Sequence, residues 1–171
     1  MNPSPQVRLD SMMKALADVI LPSIPAASGL ALEQAQLLLG HLAILRSQID
    51  YFSEFENTEL RAARTLANAL CAIAEGSRCT EAAATDLASL GANGTLDETL
   101  MALESLILAA AEDGTPEFKA QLRRLVIRHG RIMADLNRSA FAGTQFEVAP
   151  DSLPSLPEAL ASASAAMATI A

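Results

Sequence analysis

Apolar positions along this chain recur at steps of four and three for most of its length, and that spacing places them on one side of a succession of α-helices. Leu9, Met13, Leu16 and Ile20 form one such stripe, so residues 7–21 read as a first helix. Pro22 and Pro25 stop it, and the run from Pro22 to Gly29 reads as a turn. A second helix starts near Leu30. Its seam is Ala31, Ala35, Leu38, Leu42, Leu45, Ile49 and Phe52, a heptad pattern. Leu37, Leu39 and Ile44 widen the seam, so this helix is expected to be covered on more than one side. Gly40, which costs about 1 kcal/mol against Ala in mid-helix, is expected to admit a close neighbouring helix.

The same phase runs on through Glu56, Glu59, Ala63, Leu66, Leu70 and Ile73, but with glutamates in two core slots. Two accounts fit. One long helix carries an acidic layer, or the chain breaks between Ser53 and Asn57. Ser53-Glu-Phe-Glu56 has the form of a capping box, which favours the break. Gly76 to Cys79 ends this stretch. Thr80 to Leu90 reads as a short helix with Thr80 as N-cap and Gly91 just past its end. Thr95-Leu-Asp-Glu98 is a second capping box and opens a stripe of Leu96, Leu100, Leu103, Ile107 and Ala110. Thr115-Pro116 opens the next helix, with Pro at its first position. Its stripe is Phe118, Leu122, Leu125, His129, Ile132 and Leu136.

Residues 143–157, with Pro150, Pro154 and Pro157, read as a linker. The Ala- and Ser-rich end keeps the spacing at Leu156, Leu160, Ala163, Met167 and Ile170, which favours a docking helix. The expected architecture is all-α: an antiparallel, up-and-down-like bundle of four to six helices over residues 1–142. A C-terminal helix at 158–171 would pack on it or on a partner subunit.

Composition agrees with the pattern. Of 171 residues, 34 are Ala and 26 are Leu, while aromatics make up 4%. These are helix formers, and the β-branched and aromatic residues that strands want are scarce. Net charge is −8, which disfavours nucleic acid and anionic membrane surfaces as partners. No apolar run approaches the roughly 18 residues of a spanning helix, and the N-terminus lacks the basic and apolar regions of a signal peptide. With two cysteines and no Cys-x-x-Cys spacing, a reducing cytoplasm is the expected location.

Charge is uneven. Residues 117–138 hold six Lys or Arg against two acids, a net of +4, which leaves −12 elsewhere. Arg124, Arg128 and Arg131 share a face where forked guanidinium donors suit an anion, with Arg131 able to pair with Asp135. His129 falls inside an apolar stripe, where its N–H needs a partner, or where it serves as a metal ligand or general base. His41 lies beside the seam of the second helix. An acidic cluster of Asp50, Glu54, Glu56 and Glu59 is the obvious counterpart of the basic helix. No Glu-x-x-His occurs, so a bundle di-iron site is not expected, and no metal or cofactor is. Cys71 reads as a small core residue. Cys79, just ahead of a helix, is a place where a thiolate can be stabilised.

The surplus of apolar stripe points to a non-enzymatic oligomerising or partner-binding module, most simply a homodimer. An alternative is an apolar, acyl-type ligand pocket between helices, lined by Met12, Met13, Met101 and Met133 with Arg124 or His129 at its mouth. A weaker alternative is an enzyme or metal site pairing His129 with a carboxylate.

Overall fold

The structure, a computed structural model, describes residues 2–142 and 149–169. Gly143 of the expected linker and Ile170 of the expected C-terminal stripe lie outside the described residues. Every named element among the described residues is helical, as the spacing predicts. The helices are α1 (Pro5–Ala15), α2 (Leu21–Ser23), α3 (Gly29–Gln48), α4 (Phe52–Ile73), α5 (Arg78–Leu90), α6 (Leu96–Asp113), α7 (Pro116–Ala140) and α8 (Leu156–Ala168). None of them is long and apolar enough to cross a membrane. The chain divides into two compact units, 1–53 with 137–156, and 54–136 with 157–171.

In the first unit, the expected single helix over 7–21 is α1 followed by a π-helical turn, Leu16–Ile20, and then α2. Pro22 sits inside α2 rather than stopping the chain before it. A π turn takes more residues per revolution than an α turn, so it shifts the phase of the residues beyond it. Leu9 and Leu16 are therefore buried on one side, while Ile20, expected on the same stripe, is 49% exposed. The α1 helix packs against α3. Its carboxylate Asp10 takes Arg46 at 2.9 Å, and Gln6 donates to Asp50 at 2.7 Å, so two side-chain links tie α1 to the end of α3.

In the second unit the α4 stripe Ala63, Leu66, Ala67 and Leu70 meets Leu87 of α5, Leu103, Leu106 and Ala110 of α6, and Phe118 and Leu122 of α7 in one apolar core. Buried positions in α6 are Thr99, Leu103, Leu106 and Ala110. The expected stripe is one residue out of register at Leu100, which is 44% exposed. Thr95 and Glu98 form the expected capping box. Thr115 caps α7 by accepting from the Phe118 N–H at 3.2 Å. In α8, Leu160, Ala163 and Met167 are buried, as the stripe predicts.

Thr80 does not cap α5. It lies inside the helix, fully buried, and Ser77 holds the N-cap position. Asp113, from the far end of α6, does the capping: the N–H groups of Cys79 and Thr80 donate to its carboxylate at 2.8 and 3.0 Å, and the Thr80 hydroxyl at 2.5 Å. These bonds, the Thr80 hydroxyl foremost, hold the Asp113 carboxyl below the usual carboxylate range. Beside it, Gly76 and Gly114 form a single antiparallel bridge. A Cβ on Gly76 would stand 2.6 Å from that of Thr80, so only glycine admits this approach.

Candidate interaction surface

The α3 helix is where apolar sequence and burial part company. A helix that is hydrophobic all round belongs in a core or against a partner. Between Gly29 and Gln48, α3 carries one acid, Glu33, and one base, Arg46. No residue of it is buried. Leu32, Ala35, Leu39 and Leu42 are half-buried on one side. On the other, Leu30 is 73%, Leu37 55%, Leu38 52% and Leu45 43% exposed. Gln34 and His41 lie between these leucines on the helical wheel, and His41 is itself exposed. The expectation that the widened seam is covered on several sides is thus not met among the described residues. Nor is the one for Gly40: a Cβ built there meets nothing within 4 Å.

The break before α4 falls at residues 49–51, so 30–75 is two helices. The second begins at Phe52, ahead of Ser53, so the expected capping residue is already helical. The acidic cluster splits accordingly. Asp50 binds Gln6 and lies 3.5 Å from Arg46. Glu54 and Glu56 are exposed on α4. Glu59 is half-buried, and burial, helped by the Glu56 charge, pushes its carboxyl up. The cluster is therefore not the counterpart of the basic helix: among the described residues Asp50 pairs with Arg46 of α3 instead.

The α7 arginines do not converge. Arg124 donates to the Ala120 carbonyl of its own helix at 3.3 Å. Arg128 reaches the carbonyl of Thr169 at 3.3 Å and also its hydroxyl, which places a cation at the C-terminal end of α8, where the helix dipole favours it. Arg131 and Asp135 are both exposed and form no pair. His129 is half-buried, and burial lowers its basicity. It makes no hydrogen bond to a described residue, so neither the expected carbonyl or carboxylate partner nor a general-base pairing is present there.

Among the described residues no group of three His, Cys, Asp or Glu is placed to hold a metal. His41 and His129 belong to different units. Cys71 is half-buried, its thiol donating to the Ala84 carbonyl at 3.6 Å. The Cys79 thiol is raised, by the Glu112 charge first, so thiolate stabilisation at that helix start is overturned. Met12 is 50% and Met101 69% exposed, and they too sit in different units. Compared with known proteins, the chain matches no family model, no curated protein and no solved structure.

Leu30 and Leu37 are exposed leucines that the heptad seam leaves out. The signal for them is present: five of the ten residues from Leu30 to Leu39 are leucine, with a single charge among them.

Proposed function

We propose that this chain is a non-enzymatic oligomerisation module, an antiparallel helical bundle that pairs with a second copy of itself through α3. One observation carries the reading: a 20-residue, almost uncharged helix that buries none of its residues. Exposed apolar patches of this kind mark interaction sites. The choice of occupant rests on the charge. Arg46 already faces Asp10 and Asp50, which leaves Glu33 as the one charge on α3 without an ion pair among the described residues. A surface with so little charge offers little to steer an acidic or basic partner. Its natural complement is another apolar helix face, and a two-fold axis supplies an identical one. Gly40, with open space around it, lies one turn beyond Leu37 and lets a second backbone come close. An acidic chain of net −8 makes an anionic bilayer a poor alternative cover.

Sedimentation velocity over a range of concentrations tests this. The expected result is a concentration-dependent dimer that the double substitution Leu38→Asp, Leu45→Asp converts to monomer with its helical circular dichroism retained. A wild-type monomer at high micromolar concentration would sink the proposal. So would a dimer unaffected by the double substitution, or one whose interface buries less than about 1,000 Å².

A further inference from the structure

A second surface, in the other unit, has the opposite chemistry. Arg61 and Arg64 stand three residues apart on α4, so their side chains share a face. They line a groove of about 370 Å³ between α4 and α8, together with Thr65, Asn68 and Ser164, and with Met167 as an apolar wall. In a chain with 20 acids against 12 bases, no carboxylate among the described residues lines it. Neither arginine pairs with a carboxylate among the described residues. Every bond they make among the described residues goes to a neutral oxygen. Arg61 donates to the hydroxyls of Thr58 and Ser164 at 3.0 and 3.2 Å. Arg64 donates to the Gly94 carbonyl at 2.7 Å.

These bonds fix both guanidinium groups without neutralising them. Arg64 is held firmly enough that its Nε is buried with no hydrogen-bond partner. Such an orphaned donor calls for an explanation, since buried polar groups are nearly always satisfied. Here it is the cost of anchoring a cation at the edge of an open groove. Two positive forks one turn apart on α4, both lining the groove, suit an oxyanion that carries two charges. The volume exceeds that of a bare phosphate, and Met167 offers contact to a carbon skeleton.

We infer that the α4–α8 groove binds a small phosphomonoester, with Arg61 and Arg64 on the phosphate, Asn68 and Ser164 as hydrogen-bond partners at its margin, and Met167 against the organic group. The site is independent of α3 and of the self-association proposed above.

Titration of the full chain with phenyl phosphate, inorganic phosphate and phenol, followed by amide NMR at low salt, tests the inference. Phenyl phosphate is expected to saturate and to move signals of residues 61–68 and 164–168. Inorganic phosphate should bind about tenfold more weakly, and phenol not at all. Arg61→Gln should weaken phenyl phosphate about tenfold with the fold intact, because Arg61 is exposed and touches two hydroxyls only. Arg64→Gln should do the same, and Asn68→Ala, which leaves both cations in place, keeps the test open if Arg64→Gln fails to fold. No saturation by about 10 mM, equal affinity for inorganic phosphate, or binding unchanged in Arg61→Gln would overturn the assignment. Loss of binding in Arg124→Gln, Arg128→Gln, Arg131→Gln with Arg61 and Arg64 intact would also overturn it, by moving the site to α7.

Discussion

Two halves of this molecule are built from the same alphabet of leucine and alanine and spend it differently. In the unit formed by 54–136 and 157–171, leucines from four helices close on one another: Leu70 and Leu106 are 0% exposed, Leu87 3% and Leu122 9%. In the unit formed by 1–53 and 137–156, α3 has leucine in abundance and leaves four of them at 43% exposure or more. An apolar side chain stabilises only where water is removed from it. The first arrangement completes itself. The second leaves its leucines in water, and this difference motivates the self-association reading.

Substitutions should separate the halves cleanly. The largest effect is expected at Leu106→Ala, where a fully buried side chain leaves a cavity. Urea unfolding should show a loss of about 2–5 kcal/mol. Leu38→Ala, the same chemistry on α3, should change the unfolding free energy of the monomer by no more than about 0.5 kcal/mol, yet shift the dimer equilibrium in sedimentation. Equal losses at the two positions would erase the contrast.

Next in size is Thr80→Val, which removes the hydroxyl bond to Asp113 from a fully buried position. A loss of stability smaller than that at Leu106→Ala is expected in urea. The pH dependence has the matching sign. The Asp113 carboxyl is held below its ordinary range in the fold, as is Glu98 by its bonds from Thr95. Their contribution is complete above the unfolded carboxylate value and is lost as pH falls through the lower folded values. Asp113→Asn should therefore flatten the acid limb of a stability-against-pH curve measured by thermal melts.

His129 acts at milder pH with the same sign, because burial depresses its folded value. Stability should decline as pH drops from about 7 toward 5, and His129→Leu should flatten that decline. Gly40→Ala should act in the opposite direction. It should stabilise the monomer by up to about 1 kcal/mol through helix propensity, since its Cβ meets nothing within 4 Å among the described residues, while weakening the dimer. A rise in both quantities would place the second helix elsewhere.

Periodicity makes the helices legible because their stripes and caps are local. Thr95 with Glu98, and Thr115 with Pro116, are complete signals within four residues, and both hold. The cap of α5 is not legible in this way: Asp113 reaches it across 33 residues, and nothing near Thr80 announces that. A π turn hides inside an ordinary helical pattern, which is why the spacing puts Ile20 on the wrong side. The spacing along α3 shows that it is apolar, but periodicity carries no information about whether a stripe is covered. Arg61 and Arg64 carry no mark in the sequence for a related reason. Their meaning depends on the acids that are missing around them, and that is a property of the folded neighbourhood.

The bridge between Gly76 and Gly114 bears on how the second unit is assembled. Ser77 donates to the Asp113 carbonyl at 3.3 Å and Thr115 to that of Glu75 at 3.0 Å, so the chain leaves and rejoins itself at one point. Everything between, the α5–α6 hairpin, is an excursion closed at its base. The two segments of that base must stay in step, so a residue added to one connection demands a matching change in the other. Length variation is therefore best accepted at the far tip, near Gly91, where the backbone already adopts a positive φ of 49° and is open to solvent. The hairpin is in that sense a cassette, tethered through a clasp of two glycines.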